Sequence, residues 1–271
     1  MSLYDRKYSL TVGTLKIEKL DISFKVVKTL KKEPNTLELT VRNLNEEHRE
    51  HLAQLEQTTC RLEAGYVGDY GLIFSGDVRD ITSTKEGTEW LTKIPSGDGE
   101  RSIQRARINE SFAPGTPLPI PIKKLAEKMK VGLGNAALQS LQGNFEGAAN
   151  EFLTGTVLSG RASTEMDGLL KSAGLEWSIQ DGELQLIPIG DVLVGLAVKL
   201  APETGLVGSP TVGNDGVVTF QALLNRAIAP GRSLRIEAEG VPKAFYRAER
   251  CEYVGDTRGQ DWYVNGEAKA L

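Results

Sequence analysis

The two ends of the chain carry similar short sequence blocks in the same order. An internal repeat limits the possible folds before any single element is assigned, because both copies must adopt the same arrangement. The chain is therefore predicted to contain two related units, with the middle of the sequence inserted between them. The matching blocks are LELTVRNLN (Leu37–Asn45) with VVTFQALLN (Val217–Asn225), RLEA (Arg61–Ala64) with RIEA (Arg235–Ala238), and GTEWLTKI (Gly87–Ile94) with GQDWYVNG (Gly259–Gly266).

The spacing of the blocks also agrees between the two ends. RLEA begins 29 residues before Trp90, and RIEA begins 27 residues before Trp262. The first copy has six more residues between its Asn and its Arg. They predict a short helix with Asn45 as N-cap and Glu46 and Glu47 in the first turn. The alternative is chance, since β proteins reuse strand–turn–strand patterns.

Short strand-like runs separated by glycines fill both ends of the chain. Leu37–Val41 alternates apolar and polar residues, which is typical of a half-buried strand. Glycine supplies 29 of 271 residues, which suits many turns. The predicted strands are Tyr8–Val12, Leu15–Ile17, Ile22–Val27, Leu37–Val41, Thr59–Ala64, Leu72–Ile81, Glu89–Ile94, Val217–Leu223, Ser233–Ala238, Phe245–Val254 and Trp262–Ala268.

The middle of the chain changes from strand-like to helical patterns. The Pro-rich run Phe112–Pro121 predicts a rigid connection into a helix. Apolar residues within Ile122–Met129 recur at i, i+3, i+4 and i+7, which gives that helix one apolar face. Thr164 is predicted to cap a second helix, and Gly174 follows its end as a natural C′ residue.

A β-hairpin is predicted directly after the second helix. Two apolar runs within Leu175–Ile187 flank Asp181-Gly182, a pair that favours a type I′ turn. The Gly-rich clusters within Gly132–Gly147 lack the GK[ST] ending of a phosphate loop and are interpreted as connections. Residues 190–210 are predicted to be a connecting segment with one apolar stretch.

These patterns predict a mainly β (α+β) chain of two related β-barrels with a small helix–hairpin insertion. The expected organisation is a first β-barrel domain at 1–110, a helix-containing insertion with a β-hairpin at 111–190, and a second β-barrel domain at 191–271. Strand sharing between the first and last regions is left open. A chain of 271 residues is long enough to bury such a core.

Charge and cysteine content exclude several classes of protein. The 32 Lys and Arg and 36 Asp and Glu give a net charge of −4, which argues against a nucleic-acid binder held by phosphate neutralisation. Cys60 and Cys251 are too few for a disulfide framework. The first residues have no apolar signal region, and no apolar run is long enough to span a membrane. We therefore expect assembly in a reducing cytoplasm.

Four stretches that cover most of the chain resemble the baseplate hub proteins of phages with contractile tails, including the late control protein D group. The ordered combination carries the resemblance, because no single motif is chemically diagnostic. This sequence is shorter than many members, so partner contacts made by their additional parts do not transfer. The stretches are Lys32–Leu52, Thr59–Glu100, Thr164–Pro188 and Val217–Ala268.

The resemblance implies a fold of two tail-tube-like β-barrels and assembly as a homotrimer. Three chains with two barrels each would offer six quasi-equivalent barrels. Such a ring would match a hexameric tail tube on one side and a trimeric central spike on the other. The implied partners are the tail tube protein, the central spike protein, and other baseplate and tape-measure proteins, with DNA only as passing cargo. The implied location is the tail baseplate of the virion.

The residue types that often carry chemistry do not form a convincing site in the sequence. His48 and His51 lie on one face of the predicted helix, but two histidines without a third patterned ligand favour a solvated charged face over a metal site. Cys60 and Cys251 fall in strand patterns and are predicted to pack as small hydrophobic residues. No catalytic, cofactor-binding or metal-binding residue is assigned, and we expect no enzymatic activity and no cofactor.

Two further sets could serve a carbohydrate-active protein. A pair of carboxylates facing one cleft could hydrolyse a glycoside, but the sequence shows no such cleft. The tryptophans could stack on sugars, although each falls at an alternating strand position, which favours core packing. The candidates are Asp77, Glu89, Asp98 and Glu100, and Trp90, Trp177 and Trp262.

The sequence therefore indicates a structural virion protein, with alternatives left open. The favoured role is a baseplate hub that joins the hexameric tail tube to the trimeric spike and encloses the DNA channel. The first alternative is another tail-tube or tail-tip component, and the second is a carbohydrate-binding or cell-wall-degrading tail-tip module. A related injection machine is equally compatible with the sequence.

Overall fold

Twenty β-strands and four α-helices are formed by the described residues, 5–134 and 155–271, in a computed structural model of the chain. The first half holds β1 (Arg6–Val12), β2 (Leu15–Ile17), β3 (Ile22–Thr29), β4 (Thr36–Arg42), α1 (Glu46–Ala53), β5 (Thr59–Tyr66), β6 (Asp69–Val78), β7 (Thr82–Glu86), β8 (Glu89–Lys93), β9 (Ser96–Gly97), α2 (Glu100–Arg105), β10 (Arg107–Phe112), α3 (Pro119–Met129) and β11 (Gly132–Leu133).

The second half begins with β12 (Thr156–Arg161), which pairs with β10. The remaining elements are α4 (Ala162–Ser172), β13 (Leu175–Gln180), β14 (Glu183–Pro188), β15 (Val198–Leu200), a 3-10 turn at Pro202–Thr204, β16 (Leu206–Val212), β17 (Val217–Leu223), β18 (Ser233–Ile236), β19 (Ala244–Asp256) and β20 (Trp262–Ala270). The chain is thus mainly β with a helical middle, and the predicted fold class is confirmed.

Strands from both ends of the chain form one fifteen-stranded sheet. Its main path runs β16-β17-β20-β19-β3-β4-β9-β6-β5-β1-β2. Off this path, β18 pairs with β19 and β15 with β18, while β8 pairs with β4 and β7 with β8. The two ends join where β19 pairs with β3 in antiparallel fashion. Strands far apart in sequence are therefore neighbours in the sheet.

The internal duplication is visible in the strand pairings. In the first copy β3 pairs with β4, β4 with β8 and β9, β6 with β9, and β5 with β6. In the second copy β16 pairs with β17, β17 with β20, β19 with β20, and β18 with β19, all antiparallel. The first-copy counterpart of β19 is divided into β6 and β7, and that of β20 into β8 and β9.

The matched blocks occupy equivalent strands, but the predicted alignment of the first block is wrong by one residue within the strand. The first copy has one extra residue at Asn43, which takes a left-handed conformation with φ of 55°. After it, the two copies align again at the buried Leu44 and Leu224. Because side chains alternate with period two, a slip of one residue exchanges the faces. The buried positions are Leu37, Leu39 and Val41 in β4, and Val218, Phe220 and Ala222 in β17.

The matching RLEA and RIEA blocks are in register and share a local contact. Arg61 pairs with Glu63 at 3.1 Å, and Arg235 pairs with Glu237 at 2.8 Å. Both arginines are exposed, while Leu62 and Ile236 between them are fully buried. The repeated sequence therefore encodes the same in–out alternation in both copies.

Two hydrophobic clusters organise the described residues. The larger cluster combines side chains from both ends of the chain, from Tyr8 to Ile94 and from Leu200 to Ala268. The smaller cluster belongs to the middle and runs from Ile108 to Leu186. Helix α4 packs there against α3, β12 and β13, and α3 also packs against β10 and β11. The domain limits at 1–110, 111–190 and 191–271 stay a prediction.

Several local predictions were wrong. Helix α4 begins at Ala162, so Thr164 lies inside it and Arg161 occupies the N-cap position. Helix α3 begins at Pro119 within the predicted rigid connection, since proline is compatible with the first turn. The predicted connection at 190–210 contains β15, the 3-10 turn and the start of β16. Most of Gly132–Gly147 lies outside the described residues.

Other elements were missed because their patterns are weak. Strand β7 is exposed at all five positions and has no apolar alternation. Helix α2 has six residues and no fully buried side chain. The β10–β12 pair joins strands that lie more than forty residues apart, so no turn motif marks it. The hairpin prediction is confirmed, because Asp181 and Gly182 take φ of 58° and 84° as a type I′ turn requires.

Candidate assembly and channel surface

The central strands of the sheet have one buried face and one polar face. On β3, Ile22, Phe24 and Val26 are buried while Lys25 between them is exposed. Strand β19 alternates in the same way, and its pairing with β3 continues the polar face from one copy into the other. The polar face is therefore a single surface across β17, β20, β19 and β3.

Two cations on this polar face, Lys25 and Arg250, are paired with carboxylates. Lys25 lies 3.3 Å from Glu252, and Arg250 lies 2.9 Å from Glu252 and 3.4 Å from Glu267. Partly exposed pairs of this kind add little stability. These ion pairs place a carboxylate beside Lys25 and beside Arg250, and that carboxylate would repel a phosphate. Lys269 on β20 lies on the same face without an ion pair among the described residues, so Lys25 and Arg250 are the cations that the face pairs with carboxylates.

Uncharged polar contacts extend the face towards β16. The Gln221 side chain donates to Asn265 at 2.9 Å between β17 and β20, and Thr211 and Thr219 share a hydrogen bond of 2.6 Å between β16 and β17. Cross-strand pairs of this type each contribute about 0.2–1 kcal/mol to the stability of a sheet. These pairs continue the polar face to β16, the last strand on the main path of the sheet.

A cluster of charged groups closes the junction between the two copies. Arg258 donates to Asp21 and to Glu89, both at 2.6 Å. The Arg258 hydrogen bond lowers the pKa of Glu89 from its ordinary value. Arg42 lies 3.3 Å from Asp256. The ends of β3, β8 and β19 are thereby tied together around one arginine.

A buried polar network attaches the insertion to the sheet. The Asp98 carboxylate is fully buried and accepts hydrogen bonds from the backbone N–H groups of Asp181, at 2.6 Å, and Gly182, at 2.9 Å. Burial, followed by the neighbouring charge of Asp181, raises the pKa of Asp98 to about 6. The hairpin turn of the insertion is therefore held by a carboxylate that belongs to the first copy.

Asp181 itself reaches further into the sheet. Its carboxylate accepts from Lys28 Nζ at 2.7 Å and from the backbone N–H of Ser75 at 3.1 Å. The Asn35 side chain donates to the carbonyl of Ile179 at 2.9 Å. The contacts come from β3, β6 and the loop before β4, so three parts of the first copy form hydrogen bonds with the β13–β14 hairpin. The Asp-Gly pair predicted the turn, but no sequence signal indicated these long-range partners.

The histidines do not assemble a metal site in the described part of the chain. His48 and His51 lie on α1, where the Asn45 side chain caps the helix by accepting from the His48 N–H at 2.8 Å. Among residues 5–134 and 155–271, no group of three His, Cys, Asp or Glu side chains has metal-binding geometry. The predicted N-cap is confirmed.

Both cysteines are fully buried and free, as small core residues are. Burial raises the pKa of the Cys60 thiol and of the Cys251 thiol to about 12. A thiol acts as a nucleophile in its deprotonated form, so neither side chain has the character of a catalytic cysteine.

The four candidate carboxylates are engaged in separate structural contacts. Asp77 lies 3.5 Å from Arg101, Glu89 and Glu100 each lie 2.6 Å from an arginine, and Asp98 is enclosed by backbone N–H groups. Each carboxylate thus contacts a different set of partners, and the four do not face one another as a pair.

Two of the three tryptophans are core residues. The Trp177 indole donates to Asp167 at 2.8 Å, and the Trp262 indole donates to the carbonyl of Gly65 at 3.0 Å. Trp90 is half-buried on β8 and is covered by the Arg49 guanidinium at 4.0 Å from the ring centre. Core packing is confirmed for Trp177 and Trp262, whereas Trp90 is covered by a charged side chain at the surface.

No helix within the described ranges is both long enough and apolar enough to cross a membrane. No protein-family model matches the chain, and no curated protein matches it in sequence.

Solved structures share this fold over almost the whole chain. The tail protein of prophage MuSo2 from Shewanella oneidensis has 10% identity and a TM-score of 0.66, covering 98% of each chain. A tail protein from Neisseria meningitidis MC58 has 10% identity and a TM-score of 0.68, covering 98% of this chain and 97% of that one. The fold is therefore that of phage tail proteins.

A bacterial secretion component has the same fold. The Escherichia coli c3393 protein, described as a component of the type VI secretion system, has 9% identity and a TM-score of 0.61. The match covers 97% of this chain and 76% of that one. The c3393 protein is itself structurally similar to the T4 bacteriophage tail proteins gp27 and gp5.

Proposed function

We propose that this protein is the baseplate hub of a contractile phage tail or of a related injection machine. It acts as a homotrimer that joins the hexameric tail tube to the trimeric central spike and encloses the DNA channel. It is a structural, non-enzymatic component of the virion baseplate, assembled in the bacterial host cytoplasm.

The duplicated strand arrangement is the observation that carries the proposal. One chain contains the same set of pairings twice, and the two copies are joined edge to edge by β19 and β3. Three such chains present six similar units around a three-fold axis. A protein that connects six-fold and three-fold partners needs this combination, and the shared fold with tail proteins supports it.

The polar face of the sheet is proposed as the channel surface. Its cations are paired with carboxylates, as at Lys25–Glu252 and Arg250–Glu267. Passing DNA would meet a carboxylate beside each of these two cations, so phosphate contacts there would be weak. The net charge of −4 acts in the same direction.

The native mass of the purified protein tests the proposal, measured alone and with a trimeric central spike protein. We expect a trimer of the 29.5 kDa chain, either alone or on addition of the spike. A hexameric ring would instead identify a tube component. A monomer under both conditions would contradict the hub role.

A parallel assay addresses the tail-tip alternative. Purified protein is incubated with cell-wall material, and both binding and clearing are followed. We expect neither, because the candidate carboxylates are engaged by arginines or backbone N–H groups and two tryptophans are buried. Clearing of the cell wall would overturn the non-enzymatic assignment.

A further inference from the structure

Two counterpart strands differ in what covers their outer edge. Strand β3 pairs with β4 on one side and with β19 on the other. Its counterpart in the second copy is β16, which among the described residues pairs only with β17 and ends the path of the sheet. The edge of β16 therefore carries unpaired backbone groups at the position where β3 is covered, with Pro210 contributing only its carbonyl to that edge.

The strand that covers β3 is β19, and its counterpart in the first copy, β7, also has one unpaired edge. In the second copy, β19 and β20 place Gly255 opposite Trp262, and in the first copy β7 and β8 place Lys85 opposite Trp90. Strand β7 thus corresponds to the end of β19 that pairs with β3. Among the described residues β7 pairs only with β8, and all five of its side chains are exposed.

We propose that β16 of one chain pairs in antiparallel fashion with β7 of the next chain, repeating the β3–β19 junction between subunits. The proposal rests on the homotrimer proposed above and names the strands that form its interface. Each chain offers one edge of each kind, so the contact is head-to-tail and builds a ring rather than a two-fold dimer. Edge strands are natural templates for such pairing.

The register of this contact follows from the internal junction. In that junction Val254 lies opposite Lys25. Val254 corresponds to Thr84, because Trp262 corresponds to Trp90. Lys25 corresponds to Thr211, because their partners Glu38 on β4 and Thr219 on β17 are equivalent in the corrected alignment. Thr84 should therefore face Thr211 of the next subunit.

The local surfaces suit a contact with a second copy. Val212, the residue after Thr211, is a large apolar side chain that is 48% exposed, and the pairing would cover it with Ser83. Strand β7 (TSTKE) has β-compatible polar residues, which keep a free subunit soluble before assembly. The bulge in β16 between Val207 and Thr211 shapes the same edge.

The backbone of β7 is oriented to accept a partner strand. Trp90 turns its carbonyl towards β4, where it accepts from the Asn43 N–H at 2.8 Å. In an antiparallel ladder the residue opposite Trp90 must then direct its own N–H and C=O away from β8. That residue is Lys85, so its backbone groups point out of the open edge of β7.

Disulfide cross-linking tests the register directly. The variant Thr84→Cys/Thr211→Cys places thiols opposite each other across the proposed contact, at the Cα separation of about 4.5–5.5 Å that antiparallel pairs have and a disulfide can span. Mild oxidation of the assembled protein should give a covalent trimer on a non-reducing gel, reversible with reductant. Cys60 and Cys251 are buried and stay out of the reaction.

A one-residue slip provides the matched control. In Lys85→Cys/Thr211→Cys the two thiols would lie on opposite faces of the sheet, so little covalent trimer should form. Equal cross-linking of both variants, or a cross-link confined to one chain, would overturn the proposed pairing.

A proline substitution tests the same edge of β7 without a cross-link. Lys85→Pro removes an outward N–H and leaves the β7–β8 ladder its bonds, which edge strands tolerate. We expect its native mass to fall from trimer to monomer at micromolar concentration, with unchanged circular dichroism, while Lys85→Thr stays trimeric. A Lys85→Pro variant that remains trimeric would contradict the contact.

The two proposals fail in different ways. A trimer that forms without the Thr84–Thr211 cross-link would leave the hub role intact and reject these strands as the interface. Absence of a trimer, both alone and with the spike protein, would reject the hub role and the strand pairing together.

Discussion

The Asp98 carboxylate accepts a 2.6 Å hydrogen bond from the backbone N–H of Asp181, which lies 83 residues away in sequence. The first residue follows the short strand β9 of the first copy, and the second begins the hairpin turn of the insertion. A turn that would otherwise lie at the surface is thereby anchored to the sheet. The anchoring group is buried, so its protonation is coupled to folding.

Stability should depend on pH through Asp98. Its pKa is raised from 3.8 to about 6, so between these values the folded protein binds more protons than the unfolded chain. The contribution of Asp98 to the free energy of unfolding therefore falls as pH rises from about 4 to about 6, by about 3 kcal/mol at most. Above pH 6 this contribution is constant.

Urea unfolding of wild type and Asp98→Asn at pH 4 to 8 measures this dependence. The stability difference between the two proteins should change across pH 4 to 6 and be flat above. Asp261→Asn, which alters an exposed carboxylate, should run parallel to wild type throughout. A constant difference between wild type and Asp98→Asn would show that Asp98 does not titrate in this range.

Lys28 and Asp181 should be energetically coupled. The Lys28 side chain is 4% exposed and its ammonium lies 2.7 Å from the Asp181 carboxylate. Removing one partner leaves a desolvated charge, so Lys28→Met should destabilise by about 3 kcal/mol. A double-mutant cycle with Asp181→Asn should give a coupling energy above about 1 kcal/mol.

Lys25 on the same strand is the matched control for Lys28. It also pairs with a carboxylate, Glu252, at 3.3 Å, but its side chain is 47% exposed. Lys25→Met should therefore change the free energy of unfolding by less than about 1 kcal/mol. Equal effects of the two substitutions would contradict the importance assigned to burial.

Gly255 should be sensitive to a single added methyl group. A Cβ there would clash with the Phe24 ring and lie 2.9 Å from Trp262, at the junction of the two copies. Gly255→Ala should lower the free energy of unfolding by about 1–3 kcal/mol, measured from the denaturant midpoint.

Gly168 is the counterpart test, since it lies in helix α4 with open space where a Cβ would be. Gly168→Ala should raise stability by up to about 1 kcal/mol, because alanine favours a helix. The pair of substitutions has opposite expected signs, and the same sign for both would contradict the packing described at the junction.

The two cysteines should be unreactive until the protein unfolds. Burial raises the pKa of both thiols to about 12, so at pH 8 almost none is thiolate and neither sulfur is accessible. A thiol reagent should label no cysteine in native protein and both in denaturant. Labelling of native protein at Cys60 or Cys251 would show local opening of the sheet.

Sequence patterns predicted the strands with strong alternation and left the others unseen. Leu15–Ile17 and Val217–Leu223 were predicted with their observed limits, because each carries apolar residues at strand spacing or between clear turns. Strand β7 was missed because no side chain of it is buried within the chain. Its backbone edge, rather than its side chains, gives it a place in the proposed assembly.

The sequence by itself determined the mainly β class, the duplication, the Asp181-Gly182 turn and the Asn45 cap. Each depends on residues close together in the chain or on a repeated pattern. Only the tertiary structure decided the register of the repeat, the β19–β3 junction and the contact of Asp98 with the distant turn. Those features depend on which strand edges and buried charges meet in space, and period-two patterns alone do not encode such partners.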